Sequence, residues 1–222
     1  MYGQFGLAGE QPFAANSFKM SGVTGGLEGG YNWQINPNWL VGIETDFNGS
    51  SLKGTGSSTT LIQTGPVFNQ TINVNQTFDW YGTLRGRLGF LPSNNLLLFG
   101  TGGLAYGRVI ESGLFTANGP TLAGYGATFP PFSWECGTNG STCFAGTSSQ
   151  IRVGYTLGGG LEWLFWQKWS VKAEYQYVNL GSAPLRFTAI GLAGAGTIHS
   201  SFNANFARDD FQVVRAGVNY HF

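Results

Sequence analysis

The sequence predicts an all-β chain, an eight-stranded antiparallel up-and-down transmembrane β-barrel with short turns at one end and long loops at the other. Three observations predict it. Eight stretches alternate apolar and polar residues with strand period, their connections alternate between short and long, and there is too little charge for an ordinary water-facing surface. Charged residues are 10% of the chain, against roughly 25% in soluble domains. Length and the lack of a linker predict one domain over residues 1–222.

The closing stretch shows the pattern most clearly. From Phe211 to Phe222 the even side (Gln212, Val214, Ala216, Val218, Tyr220, Phe222) is mainly apolar, and the odd side carries Arg215, Asn219 and His221. In Met1–Gly9 the odd positions Met1, Phe5 and Leu7 oppose Gln4. Gly22–Gln34 sets Val23, Leu27, Tyr31 and Trp33 against Glu28, Asn32 and Gln34. Trp39–Asn48 sets Trp39, Val41, Ile43 and Phe47 against Glu44 and Asp46, and Phe78–Phe90 sets Phe78, Trp80, Leu84 and Leu88 against Asp79, Arg85 and Arg87. Leu96–Ile110 is strand-like, but both of its sides are apolar or glycine, so its phase stays open. Gln150–Phe165 opposes Ile151, Val153, Tyr155, Leu157, Leu161 and Trp163 to Arg152 and Glu162, and Trp169–Gly181 opposes Trp169, Val171, Tyr175 and Tyr177 to Lys172 and Glu174.

Turn chemistry follows the second, fourth and sixth strands: Ile35-Asn36-Pro37-Asn38, Leu91–Asn95 and Trp166-Gln167-Lys168. Long segments follow the others: Glu10–Ser21, Gly49–Thr77, Glu111–Ser149 and Ser182–Asp210. This sorting of loops is the pattern of a bacterial outer-membrane barrel. Alternation alone does not say which side meets lipid. The poverty of charge favours an apolar exterior, as does the gathering of Trp33, Trp39, Phe90, Phe165, Trp169 and Phe222 beside the short turns, as one aromatic girdle requires. The opposite side then sends Glu28, Glu44, Asp46, Glu162 and Glu174 into the lumen with Arg85, Arg87, Arg152, Lys172 and Arg215. A narrow eight-stranded interior predicts a paired plug of these ten; solvated charges in a wet lumen are the alternative.

Several pieces together carry a resemblance: G-G-Y-N-W-Q (Gly29–Gln34), V-G-I-E-T-D-F-N (Val41–Asn48), D-W-Y-G-T-L-R-G-R-L-G (Asp79–Gly89), T-G-G-L-A-Y-G (Thr101–Gly107), W-S-V-K-A-E-Y-Q-Y-V-N-L-G (Trp169–Gly181) and V-R-A-G-V-N-Y-H-F (Val214–Phe222). The chain resembles the immunogenic, opacity-porin-type outer-membrane proteins of Gram-negative bacteria, relatives of OmpA/OmpX-type barrels. The resemblance implies eight strands, periplasmic termini, extracellular loops, and a terminal Phe222 read with Tyr220 and Val218 by the barrel-insertion machinery. It carries no catalytic residue. The long third loop and the apolar fourth loop depart from the family's pattern. Expected partners are outer-membrane lipid and lipopolysaccharide, the insertion machinery and, through the loops, a second copy or another envelope or host-surface protein.

Other chemistries find little support. Eleven acidic and eleven basic residues leave no net field for nucleic acid. No apolar run reaches a spanning helix, and Met1 leads straight into a strand pattern, so export implies either a signal peptide already removed or a sequence that starts just after one. Gly100, Gly102 and Ala105 spell G-x-G-x-x-A, but β-branched residues and glycine follow where a dinucleotide site needs a helix. His199, Asp209 and Asp210 could meet at a loop rim, yet form no recognised catalytic set, and no cofactor or metal site is expected. Cys136 and Cys143 enclose G-T-N-G-S-T; their spacing favours a loop disulfide over a metal site, with two free thiols as the alternative.

Within the loops, Phe68, Ile72 and Val74 keep the parity of Phe78 and Trp80, Leu185 and Phe187 that of Tyr175, and Phe202 and Ala204 that of Val214. Several strands are therefore expected to continue above the bilayer, with a bulge before Pro184 and a hairpin tip at Gly191–Gly196. Phe115, Phe129, Phe132, Trp134, Phe187 and Phe202 would form an exposed contact patch there, unless the loops pack on one another. The function expected is a non-enzymatic envelope protein acting through its loops, with a narrow small-solute pore as the alternative.

Overall fold

The computed structural model describes residues 19–62, 68–118, 142–190, 201–205 and 209–222. They form one antiparallel sheet of ten strands and no helix. In order these are β1 (Lys19–Ser21), β2 (Thr24–Asn36), β3 (Trp39–Ile62), β4 (Phe68–Ser93), β5 (Leu96–Asn118), β6 (Thr142–Trp166), β7 (Trp169–Asn179), β8 (Pro184–Ala189), β9 (Ser201–Asn205) and β10 (Asp210–Tyr220). Chain neighbours pair from β2 through β7, and β10 pairs β7 from Asp210↔Asn179 to Tyr220↔Trp169. β1 adds to the far half of β3 at Met20↔Gly54, so β1 and β2 are one passage broken at Gly22 and Val23. Seven passages are thus traced among the described residues; Met1–Gly9, read as an eighth, lies outside them.

Three two-residue connections join β2 to β3, β4 to β5 and β6 to β7. At the first, the Asn36 Oδ1 accepts from the backbone N–H of Asn38 at 3.0 Å and of Trp39 at 2.8 Å, which closes the turn without a glycine. At the opposite end the strands run on into the long connecting segments, as the parity of Phe68, Ile72 and Val74 predicts for β4. β4 has 26 residues and β6 has 25, where roughly 9 to 11 cross a bilayer. The segments 49–62, 68–77, 111–118 and 142–149 are therefore sheet, with rows of Ser, Thr and Asn on the outer face and Leu52, Ile72, Val74, Phe115 and Phe144 among the buried residues of the inner one. After β7 the chain breaks at Leu180–Ala183, with Gly181 at φ +76°, and returns as the β8–β9 hairpin, whose β8 docks on β6 at Phe144↔Ala189. The Gly191–Gly196 tip lies outside the described residues.

The two faces differ sharply. Trp39, Ile43, Phe47, Leu84, Leu88, Ile151, Val153, Leu157, Leu161, Val171, Tyr175, Val214 and Val218 point outward and are exposed. The inner face of β5 is Leu97, Phe99, Thr101, Ala105, Val109, Glu111 and Phe115, which settles the phase that the sequence leaves open. One reading of β4 is corrected. A register shift between Phe78 and Trp80 turns Phe78 inward, fully buried, and leaves Asp79 partly exposed, although the sequence places Phe78 with Trp80 and Asp79 with Arg85. One extra residue reverses every side chain beyond it.

Curvature brings the inner face close to itself, and glycine makes this possible. A Cβ at Gly154 would fall on the carbonyl oxygen of Asn179, and one at Gly160 on that of Ala173. Gly154→Ala is expected to cost about 1–3 kcal/mol through overpacking, read as a lowered midpoint of urea unfolding. Gly29→Ala, where nothing lies within 4 Å, should leave the midpoint unchanged.

Candidate functional site on the inner face of the sheet

Read along β4 from the short turn, the inward side chains are Arg87, Arg85, Thr83, Tyr81, Phe78, Gln76, Val74 and Ile72, all buried. This order gives the site its layers: a charged group, an apolar group, a small second charged group and a further apolar one.

Arg85 is the hub of the first layer. Its guanidinium lies 2.7 Å from Glu44 and 3.0 Å from Asp46, binds Glu174, and stands 3.6 Å from Glu28. Arg215 reaches the same group from β10, at 3.0 Å from Glu28 and Asp46 and 2.7 Å from Glu174. The edge strands β2 and β10 therefore meet through side chains. Lys172 Nζ sits 2.6 Å from Glu28, 3.1 Å from Glu174 and 3.3 Å from Glu44. These three carboxylates are close enough together to hold a metal ion, and the tethered ammonium fills the position between them. Desolvating so many ions is costly, and only this mutual pairing offsets it.

Toward the short turns, Arg87 pairs with Glu162 at 2.6 Å and lies 4.0 Å over the Phe99 ring. Ser170 donates to Glu162, Asn219 donates to it at 3.0 Å, and His221 Nε2 stands 3.2 Å from it and 2.9 Å from Ser170 Oγ. A serine, a histidine and a glutamate thus meet, in a combination the sequence reading missed because Ser170 and Glu162 lie far from His221 in the chain. They do not form a catalytic relay. Carboxylate and hydroxyl face the same imidazole nitrogen, whereas a relay needs them on opposite ones.

Beyond the first layer, Phe78, Tyr81, Val109, Val178, Leu180 and Phe211 form a buried apolar cluster, with Phe211 edge-on to Phe78 at 5.0 Å and to Tyr81 at 5.2 Å. Past it Arg152 binds both Glu111 and Asp209, and Gln76 donates to Asp209. Glu111 and Asp209 are two lumenal acids that the sequence reading left in loops; the apparent balance of five acids and five bases concealed them. Asp209 is taken up by Arg152 and Gln76, not by a loop rim with Asp210, which is exposed, and His199 lies outside the described residues. Ile72, Val74, Phe115, Phe144, Leu185 and Phe187 are buried beyond this pair.

Two contact candidates are thereby corrected. Phe115 and Phe187 are buried, because the continued sheet turns its apolar face inward and β8 brings Phe187 over Gly113. Phe129, Phe132, Trp134 and Cys136 lie outside the described residues, as do the side chains of Phe202 and Cys143, and with them the Cys136–Cys143 pairing.

On the outer face, Trp33, Trp39, Phe90, Phe165, Trp169 and Phe222 are exposed near the short turns, with Trp39 5.1 Å from Phe90 and Tyr220 between Trp169 and Phe222. A second aromatic belt, unmarked in the sequence reading, lies further along: Phe47 stacks on Trp80 at 5.5 Å, Trp80 meets Tyr106 at 6.3 Å, and Tyr155 meets Tyr177 at 6.1 Å. The outward residues between the belts, 39–47, 80–90, 98–106, 155–165 and 169–177, include no charge. Two aromatic belts around an uncharged apolar band are what a membrane-crossing sheet presents to lipid.

Comparison with known proteins agrees. Residues 1–222 match the family described as the outer membrane protein beta-barrel domain. The chain belongs to this family. It is 30% identical to the 31 kDa outer-membrane immunogenic proteins of Brucella melitensis and Brucella suis, over 96% of this chain and 72% of theirs. It is 28% identical to a 22 kDa outer membrane protein of Rhizobium leguminosarum, over 80% of this chain and 64% of that one. No solved structure matches. The chain thus joins membership of this outer-membrane family to an uncharged apolar outer face and a buried, ion-paired inner face.

Proposed function

We propose that this protein is a non-enzymatic, sealed wall element of the outer membrane that presents an extended extracellular sheet and loops to partners. The inward order of β4 carries the reading: a charged group and an apolar group succeed one another across the lumen. A small-solute pore needs a continuous polar path, and the cluster around Phe78 and Phe211 supplies none. Liposome swelling tests this. Vesicles containing the folded protein should not swell in an isotonic pentose, and swelling above protein-free vesicles would support the narrow-pore alternative.

In this reading the two-residue turns and the termini face the periplasm, and the long strand extensions stand outside the cell. Lys53 and Lys168 lie at opposite ends of the apolar band. On intact cells an impermeant amine reagent is expected to modify Lys53 and spare Lys168; the reverse pattern would invert the orientation.

Loop partners on this view are a second copy or another envelope or host-surface protein, with Phe129, Phe132, Trp134 and Phe202 as the contact candidates that remain. Val218, Tyr220 and Phe222 form an outward aromatic-ended row at the periplasmic edge, suited to recognition by the insertion machinery. Phe222→Ser should reduce the yield of folded, heat-modifiable protein in membranes severalfold. Unchanged yield would remove this role.

A further inference from the structure

Past the apolar cluster the inner face carries two acids for one base. Arg152 of β6 binds both Glu111 of β5 and Asp209, the residue before β10, while Gln76 of β4 donates to Asp209 and stands 3.5 Å from Glu111. All four side chains are buried. Their surroundings are apolar, with Phe78, Val109 and Leu180 on one side and Val74, Leu185 and Phe187 on the other. Among the described residues no other charged side chain faces the group: Arg186 of β8 is exposed and donates to Ser201 at 3.0 Å, Asp210 is exposed, and Lys53, Asp79 and Arg108 belong to the outer face. Two carboxylates sharing one guanidinium away from water hold a proton to higher pH than a lone acid does. Glu111 lies beyond the second aromatic belt, and burial pushes its carboxyl above the usual range against the pull of Arg152.

The same aspartate forms the root of the β8–β9 hairpin. Its backbone N–H donates to the Gly181 carbonyl at 2.7 Å, and its own carbonyl accepts from the Leu180 N–H at 2.8 Å. Gly181, at φ +76°, is where the chain leaves β7, and glycine adopts that conformation without steric cost. Two register pairs, Phe144↔Ala189 and Ala145↔Thr188, join β8 to the wall. The rest of its hold comes from Leu185 and Phe187, fully buried over Gly113, which stands two residues along β5 from Glu111. The carboxylate pair therefore acts on the root of the hairpin and lies directly under the side chains that seat it.

We propose that Glu111 and Asp209 share one proton at Arg152 and form a pH-sensitive latch on the β8–β9 hairpin. With Glu111 neutral, Asp209 has the guanidinium to itself, and the hairpin root is drawn onto β6 with Phe187 seated on Gly113. When Glu111 loses its proton to water, a second buried anion competes for Arg152 and the root loosens. A carboxyl raised in the closed arrangement stabilises it fully below the ordinary Glu value, about 4.3, and that contribution is lost as pH rises through the raised value. The latch is tight in acid and looser at higher pH, the reverse of ordinary acid denaturation. It holds whether or not the lumen conducts, because only the position of β8 changes.

Hydrogen–deuterium exchange on the whole protein folded in phosphatidylcholine vesicles tests the latch, with rates at pH 5 and pH 8 corrected for intrinsic exchange. The amides of Leu185–Thr188 are expected to exchange faster at pH 8, by up to roughly tenfold per pH unit across the window in which one proton is released. Those of Thr71–Val74 on β4 should keep one corrected rate. Glu111→Gln, neutral at every pH, should leave the hairpin slow at both. Asp209→Asn, which removes the charge that Arg152 holds, should leave it fast at both. A wild-type hairpin with the same corrected rate at both pH values, or a pH dependence that survives in Glu111→Gln, would overturn the proposal. Heat-modified mobility verifies that each variant is folded, and if Asp209→Asn does not fold, wild type and Glu111→Gln decide the matter between them.

Discussion

Arg85→Met is expected to lower the stability of the folded barrel by about 3–5 kcal/mol, because it leaves buried carboxylates without their central cation. Glu44, Asp46, Glu174 and Glu28 all lie within ion-pair reach of this one guanidinium. Arg215 and Lys172 remain, but both are already engaged with Glu28 and Glu174. Urea unfolding in lipid vesicles, followed by tryptophan fluorescence, reads the loss. Combining Arg85→Met with Glu174→Gln should restore part of it, since one orphaned charge is then removed. If the single variant unfolds at the wild-type midpoint, the network is solvated and contributes little.

Phe78→Ala is expected to cost about 3–5 kcal/mol by a different route, the cavity left by a buried aromatic. Its ring is fully buried and meets Phe211 at 5.0 Å, inside the cluster of Tyr81, Val109, Val178 and Leu180. The substitution leaves every ion pair of the charged layer in place. Its effect should therefore add to that of Arg85→Met, as expected for sites without shared partners. A cost below about 1 kcal/mol, characteristic of an exposed position, would return Phe78 to the outer face where the sequence pattern puts it.

Much of the fold was legible because lipid and lumen impose opposite chemistry on alternate residues. Parity alone places Glu44, Asp46, Arg85, Arg87, Lys172, Glu174 and Arg215 on one face, and the structure brings them together. Parity fails where one residue is inserted. The bulge between Phe78 and Trp80 has apolar residues on both sides of it, so no change of pattern announces the reversal. β5 is silent for a related reason: Leu97, Leu98, Phe99 and Gly100 give both faces apolar or glycine character.

The half beyond the second aromatic belt was less legible. The parity of Phe68, Ile72 and Val74 announces the continuation of β4, but the Ser and Thr rows of β3 and β6 read as loop, and cross-strand pairing carries them as sheet, as in Thr59 and Thr71, whose hydroxyls meet at 2.9 Å. Glu111 was lost in that misreading, and with it the partner of Arg152. Parity sets Phe187 on a continued strand with the outward Tyr175, whereas the break at Leu180–Ala183 turns Phe187 inward, and Phe115 lies beyond the strand whose phase the sequence leaves open. Once the strands continue inward-facing, the same residues become packing.

Single-channel recording across a planar bilayer tests the central claim, that the lumen is closed by a charged layer and an apolar layer in series. Wild-type protein, inserted and verified as folded, should give no steady conductance steps in molar salt. Each single variant, Arg85→Met or Phe78→Ala, should stay silent too, because the other layer still spans the lumen. Stable open-channel steps from the wild type would contradict the account.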